Sequence, residues 1–420
     1  MRGEPDPASV ARVTLDIREI PKSQVDRIVD LADLAFHEAD SADERKQHRD
    51  RLRVCGRIGA YEDDALVGAV VAHRFRLTVP GGELPCAGLD YVAVAPTHRR
   101  RGLLSRMIAE QWRRCAELGQ PLSCLWASED AIYGRFGYGN GTLGCSVEID
   151  ARRPLALRIA PDPRPLRLVD PAKAPGLLGP VYAAERGRRG GRLDRDEEWW
   201  RTVVLLDDED EEPIRVVALG ERGETPAGYV VYRVEEVKGP AGSANVLQVF
   251  ELEARDAPAA AALWAYLVSI DLIDKVVAWA RPLDDPLLQF AGDRHQVRVT
   301  RQYPALRLRL VDVRTALTAR SWAAPVDLVL DVRDAALPAN QGRFRLTADP
   351  TGAAGATYTA TDAAPDLALD VRELATCYLG GTPIRRLVAA GLVTEATPGA
   401  AHRLDAALRT DLLPYAHEDY

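Results

Sequence analysis

The sequence has 420 residues, 47% of them hydrophobic, and a formal net charge of −8. A chain of this length can bury more than one core, so we expect about three domains, and the negative charge disfavours a nucleic-acid partner while permitting a cationic substrate. Because no apolar run approaches the ~18 residues that span a bilayer and the N-terminus lacks a signal-peptide core, we predict a soluble, cytoplasmic protein without a membrane span.

The cysteine and histidine patterns argue against metal and disulfide chemistry. The six cysteines have no Cys-x-x-Cys spacing, and several lie in apolar strand or helix patterns, which predicts reduced core residues. The seven histidines are scattered without a zinc-binding arrangement. We therefore predict no metal site.

The first part of the chain alternates strand and helix patterns. Residues 1–12 are expected to form a flexible tail. The polar run from Asp40 to Arg53 predicts either a second helix or a lid. The other predicted elements are a strand over Val13 to Ile20, a helix capped by Ser23 and ending near Phe36, and a hairpin of strands Arg57 to Tyr61 and Leu66 to Leu77.

The central stretch predicts a strand, a basic turn and a helix. Leu89 to Ala95 is an apolar run stopped by Pro96, and amphipathic helical spacing begins at Leu103. Between them, three arginines and Gly102 form a turn at a helix N-terminus, where free backbone N–H groups favour phosphate. Taken alone, the motif is more typical of a solvated basic turn, because short motifs give false positives.

The context of this turn favours a binding role. A second apolar strand, Leu122 to Ala127, follows the helix, and then the string Ile132-Tyr133-Gly134-Arg135-Phe136-Gly137. The chain here resembles the GNAT N-acetyltransferases, whose pyrophosphate loop has the form Arg/Gln-x-x-Gly-x-Gly/Ala; this chain departs from it at Leu104. The longer string from Val92 to Leu103, with Ala127-Ser128-Glu129, resembles specifically the Eis family of aminoglycoside acetyltransferases, in which a Leu-Leu pair after the glycine is familiar.

The resemblance implies acetyl-CoA as the acyl donor. It implies that the backbone of the central strand pairs with the pantetheine arm, that the basic turn holds the pyrophosphate, and that two residues after the second strand lie beside the coenzyme. In this sequence the residues concerned are Val92, Ala93 and Val94; Arg99, Arg100, Arg101, Gly102, Leu103, Leu104 and Ser105; and Ser128 and Glu129.

The resemblance also implies two catalytic residues. Tyr133 matches the general acid, although without the resemblance it would more often be a core tyrosine. Tyr420, at the end of this sequence, matches an aromatic residue whose α-carboxylate is the general base. No Ser-His-Asp or Cys-His pairing is evident in the sequence, which favours direct attack by the amine over an acyl-enzyme.

The substrate side is predicted from acidic and aromatic residues that would suit a polycationic amine, by analogy with the aminoglycosides and lysine-bearing peptides that the resemblance implies. An equally open alternative is that the acids are ordinary solvated carboxylates. The residues are Asp33, Phe36, Tyr91 and Asp419.

A second domain repeats the order of the first without its phosphate loop. Cys145 to Ile149 is expected to close the first domain (13–155) as its last strand, and Arg153 to Pro165 to be a proline-rich linker. In the second domain (156–302), Glu253 and Asp256 stand where the first has basic residues, and acids there would repel a pyrophosphate. We therefore predict a degenerate domain and one coenzyme per chain.

The third domain (303–420) has alternating strands from Ala305 onward and short helices after Arg372. The resemblance implies a domain similar to sterol carrier proteins, which we interpret as a packing and assembly domain. We thus predict an α/β (α+β) fold with two tandem GNAT-like domains, the second degenerate, a C-terminal sterol-carrier-like α+β domain, and a homohexamer by resemblance. Alternatives are a non-catalytic acyl-CoA or lipid-binding protein, or an acetyltransferase for an unrelated protein or metabolite amine.

Overall fold

The computed structural model describes residues 15–37, 41–206, 212–239, 242–351, 355–418 and 420. The predicted tail (1–12), most of the acidic loop at 207–212, and the predicted site residue Asp419 lie outside this part of the chain. The described residues form two compact units. The first takes the residues up to Arg74 together with Ala87–Gly119, and the second takes Phe75–Cys86 and everything from Gln120 onward.

The first unit contains a sheet in the order β1-β2-β3-β4 and three helices. Its strands are antiparallel from β1 to β3. The elements are β1 (Leu15–Glu19), α1 (Val25–Phe36), α2 (Ala42–Leu52), β2 (Gly56–Glu62), β3 (Ala65–Val79), β4 (Gly82–Val94) and α3 (Leu103–Glu117), with β3 and β4 continuing into the second unit.

The helices of this unit follow their sequence signals with one exception. The α3 helix buries Leu103, Met107 and other apolar residues on one face, as its spacing predicts. The polar run forms the helix α2 rather than a lid, because Ser41 and Glu44 make a capping box. The predicted cap at Ser23 is wrong, since a 3₁₀ turn over Lys22–Gln24 precedes α1 and includes that residue.

The second unit contains two complete sheets and a set of three strands. The three strands are in the order β5-β14-β6, and the sheets are in the orders β13-β7-β12-β11-β10-β9-β8 and β17-β16-β15-β18-β19. The strands are β5 (Leu122–Leu125), β6 (Gly139–Asn140), β7 (Leu143–Asp150), β8 (Leu166–Val169), β9 (Arg215–Leu219), β10 (Gly228–Gly239), β11 (Gly242–Ala254), β12 (Lys275–Pro282), β13 (Val297–Pro304), β14 (Arg307–Leu310), β15 (Val326–Arg333), β16 (Gly342–Ala348), β17 (Thr357–Ala360), β18 (Leu367–Asp370) and β19 (Thr394–Glu395).

The helices of the second unit are shorter on average than those of the first. A π-helical turn over Trp200–Val204 continues α6. The helices are α4 (Asp130–Tyr133), α5 (Ala174–Arg186), α6 (Glu197–Trp199), α7 (Ala257–Val268), α8 (Leu287–Phe290), α9 (Val313–Ala319), α10 (Val371–Tyr378), α11 (Ile384–Ala389) and α12 (Ala400–Leu408). The sequence did not predict the helices α6, α8, α9 and α12 or the strands β6, β13, β17 and β19.

Two strands lie with partners other than those expected. The predicted closing strand of the first domain, β7, pairs with β12 and β13 of the following domain. Conversely β14, expected to begin the third domain, lies between β5 and β6. The apolar pattern identifies both segments as strands, but such a pattern does not specify which neighbour a strand joins.

The predicted linker Arg153 to Pro165 has little regular structure but is packed. Leu155, Leu157 and Ile159 lie against the hydrophobic core formed by β7, β11, β12 and α7. Leu157 also makes an isolated bridge with Ala291. Packing of three apolar side chains makes this segment part of the second domain rather than a free tether.

Candidate active site

The turn before α3 has the backbone features that an anion site needs. Gly102 has φ +77°, and a Cβ built on it would meet no atom within 4 Å. No side chain caps α3, so the N–H groups of its first turn keep their hydrogen-bonding capacity. These features fit the pyrophosphate of a coenzyme, and the residues that would hold it are the predicted Leu103, Leu104 and Ser105 with Gly102.

The three arginines of the turn are held differently. Arg99 donates to the backbone oxygen of Ala35 at 3.3 Å, and Arg101 donates to Glu62 at 2.9 Å. Hydrogen bonds from His98 and Arg101 lower the pKa of Glu62. Arg100 is exposed and makes no hydrogen bond or ion pair with any residue described, so it is the arginine with the greatest freedom to meet a phosphate.

The end of β4 carries Val92, Ala93 and Val94, preceded by a strained residue. Tyr91 has φ +47°, unusual for an aromatic residue, and its ring lies edge-on to His48 at 5.8 Å. The Asp90 carboxylate accepts a hydrogen bond from the Tyr91 backbone N–H at 2.7 Å. A local distortion therefore sits directly before the stretch predicted to face the thioester.

A Cys-His-Asp arrangement, which the sequence did not reveal, supports this distortion. Cys55 Sγ lies 3.3 Å from His73 Nδ1, and His73 Nε2 lies 2.9 Å from Asp90 Oδ2. Burial alone would lower the pKa of His73, but its bonds to Asp90 and Cys55 raise it to about 9. No Cys-His pairing is evident in the sequence, because residues from three separate parts of the chain meet only in the folded protein.

The two predicted substrate-binding residues on α1, Asp33 and Phe36, differ in their contacts. Asp33 forms an ion pair with Arg45, which also pairs with Asp30. Phe36 ends α1 and is 40% exposed. Because Arg45 already neutralises charge at Asp33, a substrate amine would have to compete with it.

In the second unit, Ser128 and Glu129 are exposed on the loop after β5. Tyr133, at the end of α4, is half-buried, and its backbone oxygen accepts from the Tyr138 N–H at 3.3 Å. Tyr138 is buried and its hydroxyl lies 2.8 Å from Ser123 Oγ. Tyr138 therefore packs as a core residue beneath the loop, whereas Tyr133 keeps access to solvent.

Tyr420 is not a frayed end residue. Its ring lies edge-on to Phe75 at 5.1 Å and to Trp199 at 6.0 Å, and its hydroxyl lies 3.1 Å from Cys124 Sγ. Cys124 and Ser123 are adjacent in β5. Ser123 contacts the hydroxyl of Tyr138, whose ring packs against Tyr133, and Cys124 contacts the hydroxyl of Tyr420.

The second domain shows why it has no phosphate turn. Asp256 caps α7 by accepting the Ala259 N–H at 2.9 Å, and Pro258 lacks an N–H. Glu253 pairs with the buried Arg192 at 2.6 Å. At the first turn of α7, one amide is therefore capped and another is missing, which leaves fewer N–H groups for an anion than at α3.

A groove of about 380 Å³ lies elsewhere in the second unit, along one side of α5. Its lining includes Tyr182, Arg186, Asp194 and Trp200. None of the predicted site residues that the structure describes line it. Among the described residues no cluster of three or more His, Cys, Asp or Glu could hold a metal ion, and no helix is long and apolar enough to cross a membrane.

Comparisons with known proteins agree with this architecture. Residues 16–141 and 191–310 each match a family described as acetyltransferase (GNAT) domain, and residues 313–417 match a sterol carrier protein domain. An uncharacterized N-acetyltransferase of Streptomyces avermitilis is 39% identical, covering 96% of this chain and 99% of that protein. N-acetyltransferase Eis of Mycobacterium tuberculosis is 36% identical, covering 85% of this chain and 86% of that protein.

Among solved structures, Eis1 from Mycobacterium abscessus superposes with a TM-score of 0.84 at 33% identity, covering 96% of this chain and all of the other. Two GNAT domains followed by a sterol carrier domain define an N-acetyltransferase, a class whose acyl donor is acetyl-CoA. Within that class, the chain belongs to the Eis family. The predicted fold class and family are confirmed, and the family is enzymatic rather than a set of non-catalytic lipid-binding proteins.

Proposed function

We propose that this enzyme transfers acetyl groups from acetyl-CoA to primary amines of polycationic substrates, such as aminoglycosides or lysine-bearing peptides, by direct attack of the amine. The carboxylate of Tyr420 serves as the general base and the hydroxyl of Tyr133 as the general acid. The observation that carries the proposal is the packing of Tyr420 among Phe75, Trp199 and Cys124, which holds the residue at a fixed place.

The assigned groups have suitable chemistry. An α-carboxylate with an unperturbed pKa of about 3.3–3.7 is ionised at neutral pH and can accept a proton from an ammonium directly or through water. A phenol within hydrogen-bond reach can protonate a leaving thiolate. Backbone N–H groups of Gly102 to Ser105 hold the coenzyme phosphates, while Val92 to Val94 offer main-chain groups to its arm.

A covalent route through Cys55 has one observation in its favour, the contact with His73. Against it, Cys55 is only 7% exposed, and its thiol also lies 3.3 Å from the Arg51 backbone oxygen. Reactive cysteines are partly exposed, whereas buried ones are usually inert. Direct transfer remains the proposal, and Cys55→Ser should retain turnover.

Substrate class is tested by mixing the enzyme and acetyl-CoA with kanamycin, a lysine peptide and unrelated amines, following thiol release and product mass. Multiply acetylated kanamycin would support the proposal. Turnover confined to an unrelated amine would instead support the metabolite alternative. Assembly as a hexamer stays a prediction, which light scattering can check.

The catalytic assignment is tested by deleting Tyr420 and, separately, by Tyr133→Phe. We expect each to lower kcat by about 10²–10⁴-fold, the usual worth of a positioned acid or base. Tyr138→Phe is the matched control, because it removes a phenol from a residue packed as core. Full activity of the Tyr420 deletion, or of a variant extended beyond Tyr420, on every amine would refute the role of this carboxylate.

A further inference from the structure

The segment before Tyr420 lies against the ends of two strands that have stopped pairing. Parallel pairing between β11 and β12 is confined to Val246–Val249 and Lys275–Ala278, although both strands continue further. His417 Nε2 donates to the backbone oxygen of Phe250 in β11, and the Tyr415 hydroxyl donates to that of Ala280 in β12 at 2.7 Å. Residues 415–418, called the C-terminal tail below, therefore bind backbone oxygens of both β11 and β12, beyond the last residues that pair the two strands.

Glu418 is the charged anchor of this tail. The residue is 2% exposed, and its Oε1 accepts hydrogen bonds from Tyr182 at 2.6 Å and from Arg195 Nη2 at 2.7 Å. Arg195 also binds Glu251 of β11 through both Nη atoms, at 2.9 and 2.6 Å. The guanidinium of Arg195 thus binds both Glu418 of the tail and Glu251 of β11, the central strand of the second domain.

Both carboxylates are charged in this setting. Burial alone would raise the pKa of Glu418, but the charges of Arg195 and Arg192 lower it to about 2. Glu251 behaves similarly: burial opposes ionisation, and Arg195 lowers its pKa to about 2. Removing one member of such a buried set leaves another charge uncompensated, so the arrangement strongly favours a single position of the tail.

The distance from this anchor to the proposed base is short. Two residues of extended chain span at most roughly 7 Å, so the Tyr420 backbone is confined near Glu418. The ring of Tyr420 is fixed on its other side by Phe75 and Trp199. The backbone that carries the carboxylate is thus held between an ion pair and an aromatic contact.

We propose that Arg195 and Glu418 are positioning residues for acetyl transfer, and that the second GNAT domain uses the diverging ends of β11 and β12 to hold the C-terminal tail instead of a coenzyme. This proposal rests on the function assigned above to Tyr420. The degenerate domain then contributes to catalysis, because it determines the position of the Tyr420 carboxylate.

The test uses the full-length enzyme with Glu418→Gln, which keeps the side-chain size and removes the charge. We expect kcat to fall by about 10–10²-fold, since a displacement near 1 Å has that effect. Acetyl-CoA affinity should stay within about twofold. Glu418→Asp should recover part of the loss. Tyr182→Phe removes the hydroxyl that contacts Glu418 and the Leu193 backbone oxygen but keeps the charge of Glu418, so it should lower kcat less than Glu418→Gln.

Asp405→Asn is the control for general destabilisation, because Asp405, whose side chain is 9% exposed, pairs with Arg385 at 2.6 Å in the third domain, away from β11 and β12. It should lower thermal stability while leaving kcat near the wild-type value. If folded Glu418→Gln and Tyr182→Phe keep wild-type kcat while deletion of Tyr420 lowers it, positioning is refuted and the base assignment stands. If deletion of Tyr420 has no effect, both proposals fail.

Discussion

The two GNAT domains differ most clearly at the N-termini of their corresponding helices. At α3 the preceding residue is Gly102, with positive φ, open space and no side-chain cap. At α7 the preceding residue is Asp256, whose carboxylate caps the helix, followed at the second helical position by Pro258. The amides at the start of α3 are left available to an anion, whereas at α7 one amide is capped by Asp256 and another is absent.

The comparison extends to the buried cations that pair with acids of the central strands. In the first domain Asp90 of β4 meets His73, and in the second Glu251 of β11 meets Arg195. The histidine pair supports the strained Tyr91 beside the proposed coenzyme strand, while the arginine pair holds the tail. The two domains therefore share a fold, but the central strand of the first is proposed to bind the coenzyme, whereas that of the second binds the C-terminal tail.

Among the tests of this comparison, the largest expected effect comes from placing a carboxylate before α3, as Asp256 stands before α7. Gly102→Asp should weaken acetyl-CoA binding by about 10²-fold, because two charges ~5 Å apart interact by about 3 kcal/mol at an effective dielectric of ~20. Isothermal calorimetry measures the affinity. Gly102→Asn is the matched control, since it meets the same positive φ and has nearly the same size without the charge. Equal affinities for the Asp and Asn variants would place the phosphates elsewhere.

The next effect is the pH dependence of stability, which should differ between the buried pairs His73–Asp90 and Arg195–Glu251. The folded pKa of His73 is raised from 6.5 to about 9, so its contribution is complete below pH 6.5 and is lost as pH rises through 9. This shift corresponds to about 3 kcal/mol. The folded pKa of Glu251 is lowered to about 2, so its contribution is lost only as pH falls from 4.5 toward 2.

Thermal melting of wild type and His73→Gln at pH 6 and pH 9.5 tests this difference. The gap in Tm between the two proteins should be largest at pH 6 and should shrink at pH 9.5. Arg195 does not titrate in this range, so the second domain should not contribute to the change. A gap that stays constant with pH would mean that His73 is not charged in the folded protein.

The smallest effect is expected from removing the cap of α7. Asp256→Ala should destabilise the protein by about 1 kcal/mol, the usual cost of losing an N-cap. It should not create a second coenzyme site, because Pro258 still lacks an N–H and the tail still occupies the ends of β11 and β12. Asp312→Ala, which removes the cap of α9, should cost a similar amount.

Titration with acetyl-CoA measures the number of sites in each protein. We expect one coenzyme per chain for wild type and for Asp256→Ala. Two sites in wild type would contradict the interpretation of the second domain as degenerate. A second site appearing only in Asp256→Ala would show that the cap alone, and not the tail, excludes the coenzyme.

Local sequence patterns predict much of the fold because they encode local choices. The strand before Pro96, the turn at Gly102 and the amphipathic face of α3 all follow from neighbouring residues. Strand partners depend on contacts far along the chain, so the positions of β7 and β14 were assigned to the wrong neighbours. The family resemblance, and not periodicity, indicated roles for Tyr133 and Tyr420.

The missed parts of the site have the same origin. Cys55 lies in the turn before β2, His73 in β3 and Asp90 in β4, and each alone has the pattern of an ordinary core or strand residue. Glu418 and Arg195 are charged residues that a sequence places on the surface by default, because burial of a charge requires a partner that the sequence does not identify. A role for Asp33 in substrate binding stays a prediction, and the sequence did not indicate its pairing with Arg45.

The insertion of β14 between β5 and β6 has a consequence for synthesis of the protein. Leu125 pairs with Arg307, and Gly139 with Leu308. Strands β5 and β6 therefore cannot complete their pairing until β14 has been synthesised. At translation speeds of about 5–20 residues per second, roughly 180 residues take roughly 10–40 s to emerge. During that interval the facing edges of β5 and β6 are unpaired, a condition that favours association with other chains. Messages truncated before codon 310 should therefore yield aggregating fragments rather than an isolated first domain.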